Sequence, residues 1–201
     1  MGLREKKRAA TREAIVAAAG QLFSVKDYDA VTVDEIAAAA EVAKGTVYNY
    51  FPSKEHLAAA LANAVFQEGL PLVEDLLAEG ATAIDVLKGL FTAGAAWAEG
   101  NPRLAHVTLS HVLRQVFADP AVLPGHVEGY NSLYSLVLRM VETAQTAGQL
   151  RSDVAAPELA QTLALLHTHT LWLWTVTPTE AASARMARCL QSYLEGIAAE
   201  E

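Results

Sequence analysis

The chain has 201 residues, 52% of them hydrophobic, enough to bury a core as one large domain or two small ones. No run of about 20 uncharged apolar residues occurs, which argues against a membrane span, and the charged start Met1–Arg8 lacks the apolar stretch of a secretory signal. The single cysteine, Cys189, can form no internal disulfide, which suits a cytoplasmic protein.

A net charge of −8 speaks against nucleic acid until its distribution is considered: residues 1–54 carry +1 and residues 55–201 carry −9. Arg4, Lys6, Lys7, Arg8 and Arg12 crowd into the first twelve positions. An acidic body with a basic head is compatible with DNA binding, because the local field near the phosphates decides.

In chain order, Ile15, Ala19, Leu22 and Phe23 form one apolar stripe on a helix from about Arg4 to Ser24. Thr32-Val33-Asp34-Glu35 reads as a capping box that opens a short helix burying Val33, Ile36, Ala37 and Ala40. A tight turn through Glu41-Val42-Ala43 follows, and a second short helix runs from Lys44 to about Tyr50. Ser53 is placed to cap a helix from Lys54 to about Glu79, ended by Gly80. Further along, Gly100-Asn101-Pro102 ends one helix and starts another, and residues 119–125 read as a loop. A helix from near His126 or Val127 is closed by Gly148, another spans 158–176, and Thr177-Pro178-Thr179-Glu180 reads as a capping box for the last. No stretch alternates with period two. The fold class is therefore all-α.

Two short helices joined by a tight turn, behind a longer one, suggest a helix-turn-helix. At about 100° per residue, Val47 and Phe51 point inward while Gly45, Thr46 and Asn49 point outward, flanked by Tyr48 and Tyr50. A solvated helix face would carry Glu and Lys there. Small and hydrogen-bonding groups suit base edges, and the tyrosine hydroxyls suit phosphates.

These residues carry a resemblance to the TetR family of regulators. The run Ala14–Ala19 with Leu22-Phe23, the segment Val31–Ala37, and Val42–Glu55 with its Lys44-Gly45-Thr46-Val47-Tyr48-Asn49-Tyr50-Phe51 core resemble that family's first four helices. The match covers about residues 10–60. The family often has Gly where this chain has Glu41, which asks for a left-handed backbone at a non-glycine residue. The resemblance implies a three-helix DNA-binding domain over 1–54 and a larger helical ligand-binding and dimerisation domain over 55–201, with 54–79 as the connecting helix. It implies that Thr32 meets a phosphate, that Lys44, Gly45, Thr46 and Asn49 lie in or beside the major groove, and that Tyr48, Tyr50 and Lys54 anchor phosphates.

Beyond Gly80 the motifs are less specific. In 158–176, Leu159, Leu163, Leu166, Thr170 and Leu173 form one stripe, and Leu165, His169 and Trp172 a second; Met186, Leu190, Tyr193 and Ile197 line the last helix. The first stripe and the last helix are expected to pair with a second subunit about a two-fold axis. A pocket for a small organic effector is expected among Phe91, Trp97, His106, His111, Phe117, Tyr130, Tyr134 and His167. His106 and His111 are about 140° apart on a helix, so they do not chelate from one face, and no metal or cofactor is expected. No glycine-rich phosphate loop or nucleophile elbow points to an enzyme. The expected partners are double-stranded operator DNA, a second copy and the effector; an architectural DNA-binding protein without an effector stays the alternative.

Overall fold

The computed structural model describes residues 2–118 and 131–198, and the elements there are helical apart from one isolated β-bridge between Leu150 and Ala198. The expected loop over 119–125, the helix start near His126 and Tyr130 lie outside the described residues. Ten helices are described: α1 (Leu3–Val25), α2 (Val33–Ala39), α3 (Lys44–Tyr50), α4 (Lys54–Glu68), α5 (Leu70–Ala78), α6 (Ala83–Gly100), α7 (Pro102–Ala118), α8 (Asn131–Thr146), α9 (Ala156–Val176) and α10 (Ala182–Ile197). A single 3₁₀ turn, Tyr28–Ala30, links α1 to α2.

Two apolar cores organise these helices. The first joins Ile15, Phe23, Ile36, Val47, Phe51 and Leu57 of α1–α4 with Leu104 and Val107 of α7. The second lies among α6–α10 around Leu87, Phe91, Leu136, Met140, Leu163 and Met186. Helices α4 and α7 contribute to both, so the first core continues past residue 54 through Leu57, Ala58 and Ala60.

Two departures from the sequence reading have clear causes. The helix expected over 54–79 is two helices meeting at Gly69. Pro71 explains the break: its ring has no N–H for the preceding turn and collides with the carbonyl four residues back. The last helix starts at Ala182, with no capping box from Thr177. The Glu180 carboxylate instead accepts from Arg185 (3.2 Å) and Arg188 (2.7 Å), and its carbonyl accepts from the Trp174 indole (2.7 Å).

Candidate nucleic-acid interface and ligand cavity

The helix-turn-helix is held by local chemistry. Thr32 Oγ1 accepts from the Glu35 amide (3.2 Å), and Glu35 Oε2 accepts in return from the Thr32 amide (2.8 Å) and hydroxyl (2.9 Å). Lys26 Nζ donates to the other carboxylate oxygen at 2.6 Å. That bond first, and the two from Thr32 next, hold the Glu35 carboxyl down to about 2. In the turn Glu41 has φ 54°, the left-handed backbone that the missing glycine demands.

Helix α3 then presents two distinct sides. Val47 and Phe51 are buried, whereas Lys44, Gly45, Tyr48 and Asn49 are exposed and Thr46 and Tyr50 are half-buried. A Cβ at Gly45 would meet nothing within 4 Å, so the backbone there is open to close approach. Lys44 pairs with Asp34 at 2.7 Å, a surface contact that a phosphate can replace. On α1, the basic residues Arg4, Lys6, Lys7 and Arg8 are all exposed.

Lys54 is placed differently from an open phosphate anchor. Its ammonium donates to the carbonyls of Tyr28 (2.7 Å) and Val31 (2.9 Å) and lies 4.1 Å from the centre of the Tyr28 ring. Burial pulls its pKa down against the nearby carboxylates of Asp29 and Glu55. It ties the start of α4 to the segment before α2. Ser53 precedes α4, but its hydroxyl contacts His56 Nδ1 (3.0 Å) instead of capping an amide. The His56 ring meets His111 of α7 edge-on, centres 4.4 Å apart, and Arg103 of α7 grips Asp29 through two bonds of 2.7 and 3.1 Å. Through Lys54 and Arg103, α4 and α7 both hold the segment Tyr28–Val31 that leads into α2.

The C-terminal end of α4 and the middle of α7 border a cavity of about 540 Å³, with Val65 and Phe66 of α4 and Thr108, Leu109 and Val112 of α7 in its wall. Its volume is that of a small-molecule site. Leu72 and Leu76 of α5 and Gly89 of α6 stand at its exposed side, and Trp97, Thr168 and Leu171 lie deeper. His167 is fully buried in the wall with no hydrogen-bond partner among the described residues for either ring nitrogen, and the same holds for the Thr108 hydroxyl. Burial lowers the His167 pKa to about 4, so the ring is neutral.

Of the eight residues expected to line a pocket, the wall includes Trp97 and His167. Phe91 packs behind His167, ring centres 4.8 Å apart. His106 is elsewhere, bonded to Thr175 (2.9 Å), and His111 is held by His56 and Gln115. Phe117 is 68% exposed, Tyr134 packs against the second core outside the cavity wall, and Tyr130 is not described. Thr108 and Phe66 were missed. Thr108 left a legible signal, a hydroxyl on the apolar stripe Leu104–Val112, whereas nothing in the spacing around Phe66 marks it as pocket-lining.

The expected pairing stripe also needs correction. Leu159, Leu163, Thr170, Met186, Leu190 and Ile197 are buried in the chain's own core and have no surface left for a partner. Leu166 and Tyr193 are half-buried and Leu173 is 39% exposed. On α9 the outward side instead carries the second stripe, Leu165, His169 and Trp172, together with Leu166, Leu173 and Val176.

Residues 15–61 match the sequence pattern described as "Bacterial regulatory proteins, tetR family". The chain is 33% identical over 92 residues to the HTH-type transcriptional regulator TcmR of Streptomyces glaucescens, a stretch covering 46% of this chain and 40% of that relative. Among solved structures it is similar to Thermus thermophilus FadR, described as a TetR family transcriptional repressor in complex with lauroyl-CoA: 27% identity, 94% and 96% of the two chains, TM-score 0.74. FadR from Bacillus subtilis, in complex with stearoyl-CoA, shares the fold at 21% identity, 92% and 98% coverage and TM-score 0.62. The helix-turn-helix with its outward Gly-Thr-Asn face and the helical body behind it agree with these likenesses: residues 15–61 carry the tetR-family sequence pattern, and the chain has the fold of TetR-family regulators.

Proposed function

We propose that the protein is a cytoplasmic repressor that binds palindromic operator DNA as a homodimer and is released by a small, largely apolar effector. The observation that carries this reading is the position of α4 and α7, which through Lys54 and Arg103 hold the segment leading into α2 and further along wall the cavity. A ligand that fits the cavity in only one setting of these helices shifts the distance between paired recognition helices, which must sit about 34 Å or a multiple of one turn apart. Residues 1–54 supply the DNA contacts: Gly45, Thr46 and Asn49 toward base edges, and Lys44, Tyr48, Tyr50 and the amide end at Thr32 toward phosphates. Lys54 retains one donor for a phosphate after its two internal bonds.

For the dimer, support comes from the outward side of α9. Around His169, the half-buried Leu165, Leu166 and Trp172 and the exposed Leu173 and Val176 give α9 an apolar outward side that a monomer leaves partly in water. Continuity with the long helical pair α9–α10 favours a second copy of the chain as its cover. Selection of genomic fragments by the purified protein, followed by footprinting, tests the whole reading. A two-fold symmetric footprint is expected, and equal affinity for random DNA would sustain the architectural alternative instead.

A further inference from the structure

The cavity wall is apolar almost throughout, and its departures from that rule are informative. His167 and Thr108 come from different helices, α9 and α7, and both carry buried polar atoms without a partner among the described residues. Leaving such groups unpaired is costly. A third hydroxyl in the wall, Thr168, donates its proton to the Ala164 carbonyl (2.9 Å) and so offers only lone pairs. The neutral imidazole offers one N–H and one acceptor nitrogen, and Thr108 one O–H and its lone pairs. The glycine at 94 makes room for this arrangement: a Cβ there would stand 2.3 Å from His167 Nε2.

The charges point the same way. The wall contains no Lys or Arg among the described residues, and its one carboxylate, Asp85, lies on the exposed side. An anionic group inside would find no counter-charge, and charging His167 to supply one opposes its full burial.

Resting on the reading of this cavity as the effector site, we infer that its ligand is an uncharged lipophile carrying one hydrogen-bonding oxygen, an alcohol or ketone, which His167 and Thr108 hold within the apolar body of the site. This separates the chain from the acyl-CoA complexes of the similar structures, whose ligands carry several phosphate charges.

Calorimetric titration of the full-length protein with 1-octanol, 2-octanone, octanoate, octanoyl-CoA and toluene tests the assignment. The two neutral oxygen-bearing probes are expected to bind more tightly than octanoate or octanoyl-CoA. His167→Leu and Thr108→Val should each weaken octanol and octanone about three- to ten-fold while leaving toluene within about two-fold, which also shows that the variants keep the cavity. Tighter binding of octanoyl-CoA or octanoate, no binding of either neutral probe, or unchanged octanol affinity in both variants overturns the ligand class. Repeating the titrations on operator-bound protein separates the two readings. Neutral probes that bind through His167 and Thr108 without releasing DNA uphold the ligand class and refute the coupling alone.

Discussion

Buried and neutral, His167 ties the stability of the protein to pH in a way that can be calculated. Its pKa is about 4 in the folded chain because burial disfavours the imidazolium, against about 6.5 when unfolded. Between these values the unfolded chain binds the extra proton and the folded one does not. Stability therefore falls as pH drops below about 6.5 and levels off below about 4. Each unit within that window is worth about 1.4 kcal/mol. From pH 7.5 to pH 5, His167 accordingly accounts for a loss of about 2 kcal/mol, or roughly 4–8 °C in Tm for a chain of this size. His167→Leu removes that dependence, and it also removes two buried nitrogens that lack partners among the described residues. The variant should be at least as stable as the native chain at pH 7.5 and clearly more stable at pH 5. His111, whose pKa is also lowered, chiefly by burial and then by His56, destabilises both proteins at low pH and cancels in the difference. Urea denaturation of the two proteins at equal concentration, at pH 7.5 and 5, measures the effect. Parallel losses, within about 0.5 kcal/mol, would show that the ring is solvated or already paired.

Four further outcomes follow from the same geometry. Gly94→Ala should destabilise by about 1–3 kcal/mol through overpacking against His167, and the cost should vanish in a His167→Ala background; additive effects in a double-mutant cycle refute the contact. Asn49→Ala should reduce discrimination between operator and random DNA by about 1–3 kcal/mol in competition footprinting, with folding unchanged. Lys54→Met leaves the Tyr28 and Val31 carbonyls without their donor and should lower thermal stability by about 2 kcal/mol; an unaltered Tm alongside lost DNA affinity would make it a phosphate anchor only. Glu at Leu166 and Leu173 together should give folded monomers by sedimentation, whereas Glu at Leu163 should unfold the chain, since that side chain is fully buried.

Local signals of sequence were sufficient for the helix-turn-helix. The Thr32–Glu35 capping box, the left-handed Glu41 turn, the Lys44–Tyr50 helix and the inward pair Val47 and Phe51 all involve partners within four residues or one helical turn, so spacing alone specifies them. The helical nature of the body was legible for the same reason. What tertiary structure decided was which of two apolar stripes faces inward. On α9 both stripes are helical in period, and only packing against α7, α8 and α10 turns Leu159, Leu163 and Thr170 into the core and leaves Leu165, His169 and Trp172 outward. The cavity was decided the same way. Phe66, Gly94, Thr108 and His167 come from four helices, and no spacing along the chain relates them. Lys54 makes the point at a single residue: its charge is plain in the sequence, but its two carbonyl partners lie 26 and 23 residues away, brought near by the first core alone.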